Sequence, residues 1–519
     1  MDNNDSDFLS FNDDEPCTTS TQNSMNKPWR ILIVDDDEEI HTMTKMVLSD
    51  YSFEDRNLDM QSAYSGKEAI EFLEKETDIA LVLLDVVMET DDAGLICAKN
   101  IREQLNNSSV RIILRTGQPG QAPEEEVIVN YDINDYKAKT ELTAQKLFSS
   151  VTASLRSYQH IKTIEHSRLG LEYIIQSSAK LLEFESFPLF AKEVLEKLVT
   201  LLQIGGIRLP DEISSLSALY DFKDNNYKVM SVSGDGTAEI NKELLDAVDK
   251  QTYEQLMAAQ ESQQCTFTED GYIGYFETYK GEKLFLYLKL TTKISAVENN
   301  LIAIFATNVS SSFENISLTN EIKETQKEVI YTLAEVVEGR SKETANHIKR
   351  VSAVSVMLAK KLKLSDHEID ILQLAAPMHD IGKIGTPDSI LKNPGKLTPD
   401  EYEIMKEHAA LGFSIFNSSK REMMVAAARV ANLHHEKWDG TGYPNGLKGE
   451  DIHIFGRIVA LADVVDALSH ARCYKQAWSM DKVLEVIKLE SGQAFDPQLV
   501  DIFLDSLDEY QEILARYPT

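Results

Sequence analysis

Cysteine is scarce in this chain: Cys17, Cys97, Cys265 and Cys473 are the four among 519 residues, and they show no paired spacing. That excludes a disulfide-stapled secreted scaffold and fits a reducing compartment. Long apolar runs are missing too. The longest, around IALVLLDVVM, is far too short for a bilayer core of about 30 Å. The polar, acidic N-terminus lacks the basic-then-apolar order of a signal peptide. Positive charge is in deficit, with 52 Lys and Arg against 85 Asp and Glu. The net charge of −33 argues against polymeric nucleic acid or an anionic membrane as a partner. A small anionic ligand stays compatible, provided that cations gather in a pocket. The expectation is a cytoplasmic protein of roughly two to four domains, because a chain this long exceeds what one core fills.

Residues 1–28 are rich in Asp, Asn, Ser and Thr with few apolar anchors, which predicts a disordered acidic tail. From 29 to 157, short apolar runs (RILIV, LDMQS, IALVLL, VRIILR) alternate with segments of helical length. This rhythm predicts a doubly wound α/β domain around a parallel sheet. Residues 158–312 place helical patterns before alternating runs such as YKVMSVSG, YIGYFETY and LFLYLKL, which predicts an α+β module. In the connector, 313–335 and just beyond, Leu318, Ile322, Val329 and Val336 fall at heptad stations with Thr325 and Thr332 between them. Two readings stay open there: a seam that pairs two copies, or an ordinary amphipathic helix. Residues 336–519 are helical in pattern almost throughout, predicting an all-α bundle.

The N-terminal segment carries chemistry at its strand ends. IVDDDEE puts Asp35 and Asp36 after the first strand, LVLLDVV puts Asp85 after the third, and ILRTG puts Thr116 after the fourth. DYKAK adds Tyr136 and Lys139 after the fifth. Open parallel sheets bind ligands at that edge. Three carboxylates, a hydroxyl and a lysine gathered there suit a hard cation beside a phosphoryl acceptor. A helix cap explains one aspartate but not five such positions. The arrangement resembles the receiver domain of two-component response regulators, a flavodoxin-like fold. The resemblance implies that Asp85 accepts a phosphoryl group from a sensor histidine kinase and that Asp35 and Asp36 hold Mg²⁺. It also implies that Lys139 pairs with the phosphate and that Thr116 and Tyr136 report the state. Glu89 and Thr140 stand where receivers commonly carry proline.

The C-terminal segment is rich in histidine: eight of the eleven lie between His347 and His470. KETANH supplies Glu343 and His347, PMHD supplies His379 and Asp380, and MKEHAALG supplies His408. NLHHE adds His434 and His435, and LADVVDAL adds Asp463. Any one of these alone is more often a surface or satisfied core residue. Together they bring imidazoles and carboxylates from five segments, as helical bundles do in dinuclear metal centres. An aspartate next to a ligating histidine can bridge two ions. Adjacent residues on a helix point about 100° apart, so His434 and His435 serve different sides of a cluster rather than one face. So many imidazoles favour iron or manganese, with zinc and nickel as alternatives, over an all-oxygen Mg²⁺ site.

HDIGKIG, LKNPGKLTPDEYEIMKEH, HHEKWDGTGYPNGL and ADVVDALSHARCYK together resemble the HD-GYP family of phosphohydrolases, built on a helical HD-domain core. The family's characteristic activity is hydrolysis of cyclic di-GMP to pGpG, and sometimes GMP. The resemblance implies two or three divalent ions held by His347, His379, Asp380, His408, His434, His435 and Asp463, with Glu343 joining for a third. It places Asp380 and Lys383 at the catalytic centre and Lys383, Tyr443, Asp466, Arg472 and Lys475 against substrate. His453, Ser469 and Ala494 depart from common family residues, and none of them is a ligand. Divalent ions lower the pKa of a bound water from about 15.7 towards 7, which supplies a nucleophile at neutral pH. The middle segment resembles a GAF-like sensor domain.

These readings predict a response regulator whose output is metal-dependent cyclic di-GMP hydrolysis governed at Asp85, acting as a homodimer. One alternative is a regulator that binds cyclic di-GMP or partner proteins without turnover. Another is a phosphodiesterase of a different cyclic or linear dinucleotide. No basic helix-turn-helix follows the receiver-like segment, which disfavours a DNA-binding output.

Overall fold

A computed structural model describes residues 27–518, apart from 118–132, 140–142, 206, 208–214, 234–239, 291–293, 342–344, 394 and 471–476. The chain divides into two compact units, Met1–Glu314 and Asn315–Thr519. Among the described residues no helix is long and apolar enough to cross a membrane.

The first unit holds two sheets. Strands β1 (Trp29–Val34), β2 (Ser52–Phe53), β3 (Arg56–Ala63), β4 (Ile79–Asp85), β5 (Arg111–Thr116) and β6 (Asp135–Ala138) form one sheet in the order β2-β3-β1-β4-β5-β6. Every pairing but β2–β3 is parallel. Strand β4, IALVLLD, is buried on both faces, as a central strand of a doubly wound sheet must be. Helices α1 (Glu38–Leu48), α2 (Gly66–Lys75) and α3 (Ala93–Glu103) link the strands. The Asp37 side chain caps α1 by accepting from the Glu39 N–H, and Ser65 caps α2. Tyr136, expected after the last strand, lies within β6 itself.

The second sheet is antiparallel: β7 (Ser215–Asp221), β8 (Asn226–Ser233), β9 (Thr266–Phe267), β10 (Gly271–Glu277) and β11 (Lys283–Lys289), in the order β8-β7-β11-β10-β9. Three of these strands are the alternating runs noted above. Strand β7, SLSALYD, was not among the runs named above, and both of its serines, Ser215 and Ser217, are buried. Helix α4 (Ala144–Leu181) and helix α5 (Phe187–Ile204) precede this sheet. The boundary expected at 157 falls inside α4. The boundaries expected at 312 and 335 likewise fall inside one continuous helix, α6 (Ala296–Ser341).

In the second unit, the end of α6 is followed by α7 (Ala345–Lys361), α8 (Asp366–Ala375), α9 (Pro399–Phe416), α10 (Glu422–Leu433) and α11 (Ile454–Ser469), and then by the helices Met480–Leu489, Pro497–Leu504 and Leu507–Arg516. Ser365 with Glu368, and Thr398 with Glu401, form capping boxes that fix the starts of α8 and α9. The core gathers Val351, Val354, Leu358, Leu372, Val430, Ile458 and Phe503, all fully buried. On α6, Ile330, Ala334 and Val337 are buried, whereas Leu318, Ile322, Val329 and Val336 are 43–66% exposed. The heptad stripe therefore lies on a different side of that helix from its packed face, about 100° round from it.

Candidate metal centre

The all-helical unit brings the predicted histidines together. Asp380, His408, His434 and His435 each offer a ligand atom within 4.8 Å of the others, and so do His347, His379 and Asp463. Sequence-distant segments achieve this through close packing at small residues. A Cβ on Gly382 would fall 1.9 Å from the His408 carbonyl oxygen, so only glycine lets the HDIGKIG turn lie against α9. A Cβ on Gly442 would fall 2.3 Å from the Lys437 nitrogen, which explains the tight turn after the histidine pair. Buried Glu436 staples that turn by accepting from the Asn445 and Leu447 N–H groups at 2.7 and 3.0 Å.

Four of the five rings are oriented from behind. Nδ1 of His379 donates to the Ala376 carbonyl at 2.9 Å, Nδ1 of His408 to Met405 at 2.7 Å, and Nδ1 of His434 to Ala431 at 3.0 Å. His347 Nδ1 donates to the Asp466 carboxylate at 2.7 Å. A carbonyl only accepts, so those Nδ1 atoms carry the protons and the Nε2 lone pairs point inward. His408 and His434 then face each other Nε2 to Nε2 at 3.4 Å. Two lone pairs at that distance need a cation or an extra proton between them. His379 Nε2 and Asp380 Oδ1 are buried without a hydrogen-bond partner of sound geometry. This donor set fits divalent metal ions.

The charges of the cluster pull its histidines in opposite directions, His379 towards the protonated form and His434 and His435 towards the neutral one. Burial works against a charged His379, yet Asp380, Asp463 and Glu338 push its pKa up to about 10. Asp380 is held well below the usual carboxylate range despite its burial, first by Lys383 and then by His379. Burial, joined by neighbouring imidazoles, pushes His434 and His435 down, leaving them neutral as ligands must be. Lys383 Nζ sits 2.6 Å from Asp380 and 3.3 Å from Glu338. The Tyr443 ring packs on the His435 ring at 4.7 Å between centroids, with Lys406 Nζ 5.7 Å from the Tyr443 ring.

Several residues differ from expectation. Asp466, expected against substrate, is 2% exposed and lies behind His347. Its oxygens accept from His347, from Arg350 Nε at 2.6 Å and Nη2 at 3.1 Å, and from His470 Nδ1 at 3.2 Å. Sequence reasoning missed Glu338, which is 2% exposed and forms a third candidate cluster with His379 and Asp380. It also missed Arg340, which donates to the carbonyls of Lys383, Ile384 and Thr386 and to Asp388. Neither stands in a string whose local neighbours mark it as a ligand or a contact of one. Glu343, Arg472 and Lys475 lie outside the described residues.

In the first unit, Asp35, Asp36 and Asp85 offer ligand atoms within 4.8 Å of one another. Asp35 and Asp85 are buried and Asp36 is exposed. Lys139 Nζ lies 3.1 Å from Asp85 and 3.2 Å from Asp35. Burial, helped by Asp35, raises the Asp85 pKa, and the Lys139 contact opposes that rise. Thr116 ends β5 and is buried, and Tyr136 packs partly against the domain core.

Three family models match in succession. They are the response regulator receiver domain over 31–152, a domain of unknown function (DUF3369) over 151–322, and the HD domain over 328–499. The middle segment thus matches a family without assigned function rather than a GAF domain. A curated relative, the 3'3'-cGAMP-specific phosphodiesterase 2 of Vibrio cholerae, is 40% identical over 496 residues, covering 95% of this chain and 94% of its own. The cyclic di-GMP phosphodiesterase response regulator RpfG of Xanthomonas campestris is 42% identical over 200 residues, 38% of this chain and 53% of that protein. A cyclic di-GMP phosphodiesterase of Thermotoga maritima is 42% identical over 189 residues, covering 36% of this chain. This chain spans about half the length of the Thermotoga protein, 51%.

Proposed function

Since this chain belongs to the family of the Vibrio cholerae 3'3'-cGAMP-specific phosphodiesterase 2, with a response regulator receiver domain and an HD domain, we propose that it is a phosphorylation-controlled, metal-dependent phosphodiesterase of cyclic dinucleotides. The observation that carries the reading is the inward-facing set of Nε2 and carboxylate atoms with its opposed His408–His434 pair. Asp380, His408, His434 and His435 would hold one divalent ion and His347, His379 and Asp463 a second, with iron or manganese suited to the imidazoles. Glu343 remains the proposed ligand of a third. Such ions supply an ionised water at neutral pH and neutralise the phosphodiester. Lys383 would pair with the scissile phosphate, and Arg472 and Lys475 would hold the second phosphate. Tyr443 would flank a base, and Asp466 would hold His347 in its tautomer.

The full-length relative supports 3'3'-cGAMP as the preferred substrate. Cyclic di-GMP is the second reading, supported by the matches to the Xanthomonas and Thermotoga enzymes. Asp85, with Mg²⁺ on Asp35 and Asp36, would take the phosphoryl group from a histidine kinase. The middle segment would act as a relay, and a second copy would pair along the exposed heptad stripe. The deciding experiment combines elemental analysis with turnover of 3'3'-cGAMP, cyclic di-GMP and pGpG under reducing, metal-replete conditions. We expect bound metal and hydrolysis of both cyclic substrates, 3'3'-cGAMP faster. Bound metal without hydrolysis of any of them would establish a binding protein instead.

A further inference from the structure

Strand β5, RIILRT, buries two arginines, and they are used differently. Arg111, at the start of the strand, donates to the carbonyls of Ser108 and Ser109. Arg115, 4% exposed, sits at the other end among the acids. In the parallel register Arg115 is the neighbour of Asp85, and Asp35 directly follows Val34, the neighbour of Leu84. Three adjacent strands therefore place Asp35, Asp85 and Arg115 at one level of the sheet. Arg115 Nη2 lies 3.3 Å from Asp35 Oδ2, and Nη1 donates to Thr44 Oγ1 on α1 at 3.0 Å. Lys139 reaches the same Asp35 oxygen at 3.2 Å, and Asp35 Oδ1 already accepts from the Asp37 N–H at 3.1 Å.

Both oxygens of Asp35 are thus engaged, one of them by two cations. With Asp35, Asp36 and Asp85 against Lys139 and Arg115, the cluster carries one net negative charge. A divalent ion added to it makes the cluster positive. Without Arg115 the same ion would bring it to neutrality, and in a buried site that difference is large. We propose that Arg115 is a built-in competitor of the divalent cation at Asp35, so that the Arg115–Asp35 pair must loosen before Mg²⁺ binds and Asp85 can be phosphorylated. The inference rests on the reading of this cluster as a Mg²⁺-dependent phosphoacceptor site. Arg115 is a positioning residue in this scheme, acting on Asp35 rather than on the phosphoryl group.

The test uses the full chain as wild type, Arg115→Met, Arg115→Lys and Thr44→Val. Two quantities are measured: Mg²⁺ affinity by titration calorimetry, with the heats of an Asp36→Asn chain subtracted, and the Mg²⁺ concentration that half-saturates phosphorylation by acetyl phosphate, followed by intact mass. Arg115→Met should bind Mg²⁺ at least about tenfold more tightly and lower the half-saturating concentration in step. Arg115→Lys, which keeps the charge, should stay within about threefold of wild type. Thr44→Val, which keeps every charge but frees one anchor of the guanidinium, should tighten Mg²⁺ by about twofold and remains informative if Arg115→Met does not fold. Unchanged or weaker Mg²⁺ binding in Arg115→Met, or in Thr44→Val where the former is unfolded, would reduce Arg115 to a structural ion pair. A wild-type chain that neither binds Mg²⁺ nor takes a phosphoryl group would overturn the receiver-site reading itself.

Discussion

Replacing Asp466 by asparagine keeps the shape of the side chain and removes its charge. Arg350, 1% exposed, would then sit buried with its guanidinium against a neutral amide. Breaking a buried pair by removing one partner costs about 3–5 kcal/mol. For a unit of this size each kcal/mol lowers the midpoint by about 2–4 °C, so the metal-free protein should lose roughly 6–20 °C in the transition of its helical unit. The same change strips the charge behind His347 Nδ1 and leaves one accepting oxygen for His347 and Arg350 to share, and weakening such an orienting partner lowers metal binding by about 10–100-fold. Differential scanning calorimetry of chelated protein separates the first effect from the second, which a competitive metal titration measures. Pairing Asp466→Leu with Arg350→Met should recover most of the stability but none of the metal affinity, because only the buried charge is relieved. An Asp466→Asn chain that melts within a degree or two of wild type and binds metal equally well would refute the reasoning.

His434→Ala or His435→Ala should each lower the metal content per chain, read by elemental analysis, and full retention of metal and activity would remove that residue from the ligand set. Lys383→Met should lower kcat by about 10²–10³-fold with a smaller change in KM if its charge acts on the reacting phosphate; steady-state kinetics on both cyclic dinucleotides decides. Val329→Lys, placed in the exposed stripe of α6, should weaken self-association by about tenfold or more, as read by sedimentation velocity. An unchanged association constant would mean that the stripe does not pair copies.

Much of both sites was legible because their residues lie at positions that topology dictates. Asp85 ends an uninterrupted apolar strand, and a parallel sheet carries such ends to one edge whatever the loops do. The histidines sit in strings whose local neighbours mark them, and the fold only had to gather them. What escaped notice depends on contacts between distant segments. Glu338 looks like one more acid on a charged helix, and its burial beside Lys383 follows from how the end of α6 packs. Asp466, three residues after Asp463, could have faced the open side. The buried guanidinium of Arg350 turns it inward. Arg115 was hidden by the apolar run that contains it.

The end of α6 has almost no slack between its two faces. Val336 is 66% exposed on the stripe, and Glu338, two residues on, is 2% exposed beside Lys383. Two residues are about 3 Å of rise along the axis. Arg340, one half-turn further, grips the loop that carries His379 and Asp380. With no glycine or proline from Leu318 to Glu338 to act as a hinge, a torque on the stripe turns the Glu338 carboxylate through the same angle. The helix is thus a camshaft rather than a cable: its phase, more than its position, sets which charges face His379 and Asp380.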